Sequence, residues 1–185
     1  MGIENENKEL NQEISKWLPL IHSDDELIEY AFLRIYIKFE NLLVSLVKLY
    51  ATGKSSSFGY LPKTRLTFND EIHFKNTLKV NFLSIDDEIK RVVNNVFEKD
   101  NPFSFFLDSS DQEFFKKMKI IRNYLAHESD ESKEKYLKHV LCSEIFIEPK
   151  IYLLRNVSKT LKISNFSNFI RIITIYSEYF ISGSV

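Results

Sequence analysis

Residues 24–50 limit the folds open to this chain more than any other segment. Apolar side chains recur there at helical spacing along two seams, one containing Phe32 and the other Ile35, and Gly53 follows as a stop. The remaining polar stripe consists of Arg34, Lys38, Asn41, Ser45 and Lys48. This pattern predicts one long helix that is apolar around most of its circumference. Such a helix must be buried by neighbouring helices, and a second subunit is a further way to cover it.

The composition agrees with a helical fold. The 185 residues include only 4 Gly and 4 Pro, which is few for a turn-rich β fold, and the 16 Phe and 9 Tyr favour a packed core. We therefore predict an all-α bundle of four to six helices. Residues 1–22 are expected to be a polar leader with a short accessory helix that Pro19 ends, and residues 23–185 a single helical domain. Residues 54–82 show the weakest pattern, with loop residues and a short helix near 69–80.

Three further helices complete the predicted bundle. Ser84 can cap a helix over about residues 85–98, and Ser129 or Asp130 can cap another. The last helix is predicted over residues 164–181, where apolar residues again follow helical spacing.

Charge and cysteine content exclude some classes of function. The 25 Lys and Arg residues balance 26 Asp and Glu residues, so any nucleic-acid surface must be local. The single cysteine, Cys142, excludes an intrachain disulfide and a cysteine metal cluster, and we expect it to be a small core residue. No spacing typical of metal ligands and no Gly-rich phosphate loop is present, so no metal or cofactor is predicted. The polar N-terminal residues and the lack of a long uncharged apolar segment favour a cytoplasmic protein.

Residues 111–127 are predicted to form a helix with two different faces. Ser110 and Glu113 match a capping box at its start. Its apolar stripe consists of Phe114, Met118, Ile121 and Leu125. Its polar stripe consists of Lys116, Asn123 and His127, with Lys119 beside it and Arg122 on the flank toward the core. This helix can bury one face and present a cationic, hydrogen-bonding face to a ligand.

The end of this helix carries a recognisable motif. Arg122-Asn123-Tyr124-Leu125-Ala126-His127 resembles the R-x4-H motif of HEPN domains, in the form R-N-x-x-A-H. The resemblance implies an all-helical and usually dimeric protein, often a metal-independent ribonuclease. The motif covers one helix, and the helix pattern extends the resemblance to about residues 24–181. HEPN toxins paired with a nucleotidyltransferase antitoxin carry a Tyr two positions after the His, where this chain has Ser129, which argues against that subclass.

The motif residues suit RNA cleavage chemically. The 2′-hydroxyl of RNA can attack the neighbouring phosphate when a base removes its proton, an acid protonates the leaving oxygen and a cation stabilises the added charge. Imidazole titrates near neutral pH, so His127 would be the general base or acid, and Arg122 would bind phosphate bidentately. Asn123 would orient His127 or hold a phosphate oxygen, and Lys116 and Lys119 would follow the RNA backbone. The structural alternative is that Arg122 and His127 only complement the helix dipole.

Two further expectations follow. Arg122 and His127 lie about 140° apart on an ideal helix, so they converge poorly within one subunit. A homodimer with a shared active site, as the resemblance implies, would bring both residue types to one cleft. Glu40 lies among apolar residues of the long helix and should have a cationic or hydrogen-bonding partner. One possible partner is Arg122 or His127, and Glu40 would then support the motif, a role that the resemblance implies. The alternative is a structural ion pair with any other basic residue.

Two functions remain open from the sequence. The first is a HEPN-type ribonuclease, dimeric and independent of metal, that acts on RNA as a defence enzyme or toxin and has a protein neutraliser or defence-system partner. The second is a HEPN-like module without catalysis that serves in dimerisation or in RNA or nucleotide binding.

Overall fold

The computed structural model of this chain describes residues 3–79, 87–143, 145–157, 160 and 162–183. Those residues contain nine α-helices and no β-sheet, which confirms the all-α prediction. The helices are α1 (Ile3–Ser23), α2 (Ile28–Ala51), α3 (Glu71–Leu78), α4 (Asp87–Val96), α5 (Pro102–Asp108), α6 (Gln112–His127), α7 (Asp130–Tyr136), α8 (Pro149–Leu154) and α9 (Asn165–Ser182). A 3-10 turn over Asp25–Leu27 precedes α2, and a π-helical turn over Leu137–Leu141 continues α7.

The chain divides into two compact units. The first unit comprises Met1–Leu10, Lys38–Ser109 and Thr174–Val185, and the second comprises Asn11–Ile37 and Ser110–Ile173. Helices α1, α2 and α9 therefore contribute residues to both units. The motif helix α6 belongs wholly to the second unit.

The predicted central helix is confirmed in α2. Its expected seam residues are all at most 1% exposed: Phe32, Tyr36, Phe39, Leu43, Leu46 and Tyr50. The closing helix is confirmed in α9, whose predicted inward residues are at most 4% exposed: Phe169, Ile172, Ile173, Tyr176 and Phe180. These two helices supply half of the buried hydrophobic side chains of the described residues, because their apolar faces are long.

Aromatic packing forms the core of the first unit. The Phe39 ring lies 6.0 Å from Phe106 and 6.3 Å from Phe180, measured between ring centres. The hydroxyl of Tyr50 donates to the Phe180 carbonyl at 2.7 Å, which satisfies its buried polar atom. This core lies within α2, α5 and α9.

The region predicted to be loop and short helix belongs to the first unit. Ser56 is buried, and its hydroxyl donates to the Ile181 carbonyl at 2.7 Å. The same hydroxyl accepts from the Tyr60 amide at 3.1 Å, so the loop is anchored to the end of α9. Helix α3 follows with Asp70 as its N-cap. Helix α4 lies within the predicted 85–98 segment, whereas the predicted cap Ser84 lies outside the described residues.

In the second unit, the N-terminal part of α2 packs against α9 and α1. The Phe32 ring lies 5.1 Å from Phe169, and Tyr36 stacks on Phe169 at 6.0 Å. The Trp17 ring of α1 meets Tyr30 edge-on at 5.2 Å. The predicted accessory helix therefore packs on the long helix.

Several local predictions were wrong. Pro19 does not end α1, which continues to Ser23, because the amide of Asp24 donates to the Leu20 carbonyl at 2.9 Å and closes the turn beyond the proline. A proline inside a helix removes one amide donor but leaves later donors in place. Cys142 is exposed rather than in the core, and its left-handed backbone, with a φ of 49°, ends the π-helical turn.

The helix count also exceeds the prediction of four to six. Four of the nine helices have only 6 to 8 residues, namely α3, α5, α7 and α8. Segments this short carry too few apolar repeats to define a helical period in the sequence. Tertiary packing, and not local sequence, determines that they are helical.

Candidate functional site

Helix α6 buries a slightly different face from the one predicted. Phe115, Met118 and Ile121 are at most 2% exposed, whereas Phe114 and Leu125 are half-buried. The predicted capping box of Ser110 and Glu113 was wrong, because Asp111 is the N-cap residue of α6 and makes no side-chain capping bond.

The C-terminal end of α6 is sharply defined. His127 is its last residue, and Glu128 follows with a left-handed φ of 46°. The Glu128 amide donates to the Tyr124 carbonyl at 2.8 Å, which closes the helix. Ser129, one of the two predicted caps, then caps α7 through a capping box with Ser132. This tight turn brings the start of α7 beside the end of α6.

A cleft of about 210 Å³ lies in the angle between these two helices. Asn123 and His127 line it from α6, Ser129 lines it from the turn, and Glu131, Ser132 and Lys135 line it from α7, with Ile120 beneath. Two of the predicted site residues, Asn123 and His127, therefore meet in one concave surface. Ligand sites are concave surfaces in which a few polar side chains converge, so this cleft is a candidate site.

Arg122 takes a different position from the one expected for a phosphate ligand. It is half-buried and is absent from the lining of the cleft. Its guanidinium carbon lies 5.6 Å from the centre of the buried Tyr36 ring, which is cation–π geometry. Its Nη1 donates to Asn123 Oδ1 at 2.7 Å. Asn123 thus connects Arg122 to the cleft, and Arg122 and His127 do not converge, as their helical spacing predicts.

His127 is exposed and lines the cleft. Within the described residues, the structure records no hydrogen bond to its imidazole. A solvent-facing imidazole can exchange protons with water and with a ligand, which general acid–base chemistry needs.

Tyr124 joins the motif helix to the rest of the second unit. Its ring stacks on Tyr136 at 5.4 Å with an interplanar angle of 3°. Burial, assisted by the carboxylates of Glu128, Glu29 and Glu148, raises the pKa of the Tyr124 hydroxyl. Tyr124 is therefore neutral at physiological pH and acts in packing α6 against α7.

None of the other predicted site residues is part of the cleft lining. Lys116 is exposed and Lys119 is half-buried, and neither lines it. Glu40 is 7% exposed, so its predicted burial is confirmed. Glu40 belongs to the first unit, while Arg122 and His127 belong to the second, and its partnership with them stays a prediction.

The three cleft residues on α7 were not among the predicted site residues. Ser132, Glu131 and Lys135 lie on α7, beyond the left-handed Glu128, and no single helical period connects them to His127. Two sequence signals could have indicated them. The Ser129 cap marks where α7 begins beside His127, and the i,i+4 spacing places Glu131 and Lys135 on one face of that helix.

Comparison with protein-family models, curated proteins and solved structures found no match to this chain. Among the described residues, no three His, Cys, Asp or Glu side chains lie close enough to hold a metal ion together. In the same part of the chain, no helix has both the length and the apolar character needed to cross a bilayer.

Proposed function

We propose that this protein is a metal-independent endoribonuclease of the HEPN type. The observation that carries the proposal is the shared cleft that Asn123 and His127 line from the end of α6 and Lys135 lines from α7. It places a proton-transfer group and a cation, two of the groups that phosphodiester cleavage by an internal nucleophile uses, beside the amide of Asn123.

The reaction follows from these groups. His127 removes the proton from a ribose 2′-hydroxyl, and the resulting oxygen attacks the adjacent phosphorus. The bond from phosphorus to the 5′-oxygen of the next nucleotide breaks, and that oxygen takes up a proton. The products are a cyclic phosphate and a 5′-hydroxyl. Asn123 orients the imidazole or donates its amide N–H to a phosphate oxygen, since its Oδ1 already accepts from Arg122.

A homodimer completes the proposed site. One exposed His127 per cleft supplies one proton-transfer group, whereas the reaction uses a base and an acid. A second copy, placed with its α6 against the α6 of the first, would add the second proton-transfer group through its own His127. In this arrangement Arg122 acts by holding Asn123, and Lys116 and Lys119 extend the contact with the RNA backbone. Glu40 is proposed as a supporting carboxylate.

The proposed setting is cytoplasmic. An enzyme that cleaves cellular RNA must be restrained, so we propose a defence enzyme or toxin with a protein neutraliser or a defence-system partner. The single cysteine, Cys142, fits a reducing compartment.

A second candidate function is an RNA- or nucleotide-binding module without catalysis. The observation that favours it is the position of Arg122, which is held by Tyr36 and Asn123 instead of facing the cleft. A binding module would retain affinity for RNA in His127→Ala and would not be toxic when expressed.

The experiment that tests the proposal is cleavage of end-labelled RNA in the presence of EDTA. Wild type is compared with His127→Ala and with His139→Ala, because His139 is also exposed but does not line the cleft. We expect His127→Ala to reduce cleavage by a factor on the order of 10²–10⁴ and His139→Ala to leave it unchanged. Equal activity of the two variants would refute the role of His127.

A further inference from the structure

The polar groups of the cleft are not equally available to a ligand. The Ser129 hydroxyl accepts from the Ser132 amide at 3.2 Å, and the Ser129 amide donates to the Ser132 hydroxyl at 3.1 Å. These bonds form the cap of α7 and occupy both serines. Lys135 is the only Lys or Arg among the described residues that line the cleft.

Lys135 is held by an adjacent carboxylate. Its ammonium lies 2.6 Å from the carboxylate of Glu131, one helical turn earlier, and both residues line the cleft. The two side chains are 59% and 78% exposed. Ion pairs this exposed are weak, so the ammonium can exchange the carboxylate for a phosphate of a polyanionic RNA strand, whose binding also releases counterions.

We propose that Lys135 binds an RNA phosphate in this cleft and that Glu131 competes with that phosphate for the ammonium. This inference rests on the proposed ribonuclease function and adds a substrate contact to it. It assigns to Lys135 the phosphate-binding role that the position of Arg122 leaves open. Glu131 then weakens the binding of RNA in the cleft, because the phosphate must displace its carboxylate from Lys135.

Binding of an uncleavable RNA tests the proposal. The probe is a fluorescein-labelled single strand with 2′-O-methyl groups throughout, which keeps the phosphates and removes the nucleophile. Wild type is compared with Lys135→Ala and with Lys138→Ala, an exposed lysine on the same helical segment that does not line the cleft. We expect Lys135→Ala to raise Kd about tenfold. The logarithm of the association constant falls as the logarithm of the salt concentration rises, and this dependence should become shallower by about 0.7 in Lys135→Ala. That is the value for one phosphate contact on a single strand.

Charge neutralisation at Glu131 tests the competition. Glu131→Gln should tighten binding of the same probe by about two- to fivefold with no change in the salt slope, because the number of phosphate contacts stays the same. Glu134→Gln, an exposed carboxylate of α7 outside the cleft, controls for the change in net charge.

The outcomes separate this proposal from the ribonuclease proposal. Lysine variants that bind equally well, or a wild type that does not bind the probe, would overturn the role of Lys135 whatever the cleavage assay shows. Dependence of binding on Lys135, in a protein that cleaves no RNA, would support the phosphate contact and contradict the nuclease.

Discussion

Replacing Arg122 should destabilise the fold as well as reduce activity. The Arg122→Ala variant loses the contact with the Tyr36 ring, worth about 1–2 kcal/mol at a partly desolvated site. It also loses the hydrogen bond from a charged donor to Asn123 Oδ1, worth about 1 kcal/mol or more. The sum is about 2–3 kcal/mol, which for a chain of this length lowers Tm by roughly 5–10 °C.

Thermal unfolding followed by far-ultraviolet circular dichroism measures this effect. His127→Ala is the contrasting variant, because an exposed side chain at a helix end should change stability by less than about 0.5 kcal/mol. Arg122→Lys keeps the charge near the ring but loses the planar guanidinium, and its Tm should fall between the other two. An Arg122→Ala variant that unfolds at the same temperature as wild type would show that the contacts of Arg122 with Tyr36 and Asn123 do not stabilise the fold.

Three other predictions concern separate features. Ser56→Ala should lower the free energy of unfolding by about 1–3 kcal/mol, because the buried Ile181 carbonyl loses its donor, whereas the exposed Ser57→Ala should not. Burial raises the pKa of the Tyr136 hydroxyl, so the folded protein keeps this proton above about pH 10, where an unfolded tyrosine ionises. Tm should therefore fall as pH rises above about 10, and the fall should be smaller in Tyr136→Phe. Glu40→Gln should reduce the cleavage rate on the order of tenfold if Glu40 supports the site, and an unchanged rate would leave it as a structural carboxylate.

Long apolar patterns predicted the parts of the fold that hold the core. The seam of α2 and the inward face of α9 are buried as expected, because a helix with many repeats has one face that packing can use. The end of the motif helix at His127 also agrees with the prediction. In the same helix, Phe115 is buried in place of Phe114. Two adjacent aromatic residues therefore do not determine from the sequence which of the two faces the core.

The cleft could not be predicted because it depends on a turn. Glu128 adopts a left-handed conformation that non-glycine residues seldom use, and this turn sets where Lys135 lies relative to His127. Helical spacing describes neighbours on one helix only. The hydrogen bond between Arg122 and Asn123 was missed for a related reason, since adjacent residues point to different sides of an ideal helix and meet only through long side chains.

The proposed ribonuclease activity is tested most directly by the chemical identity of the RNA ends that the wild-type protein leaves in EDTA. We expect a cyclic phosphate on one product and a 5′-hydroxyl on the other, with no cleavage at a nucleotide whose 2′-hydroxyl is replaced by hydrogen. Both products should disappear in folded His127→Ala. Cleavage that persists at the 2′-deoxy position, or products with a 5′-phosphate, would contradict the proposed mechanism.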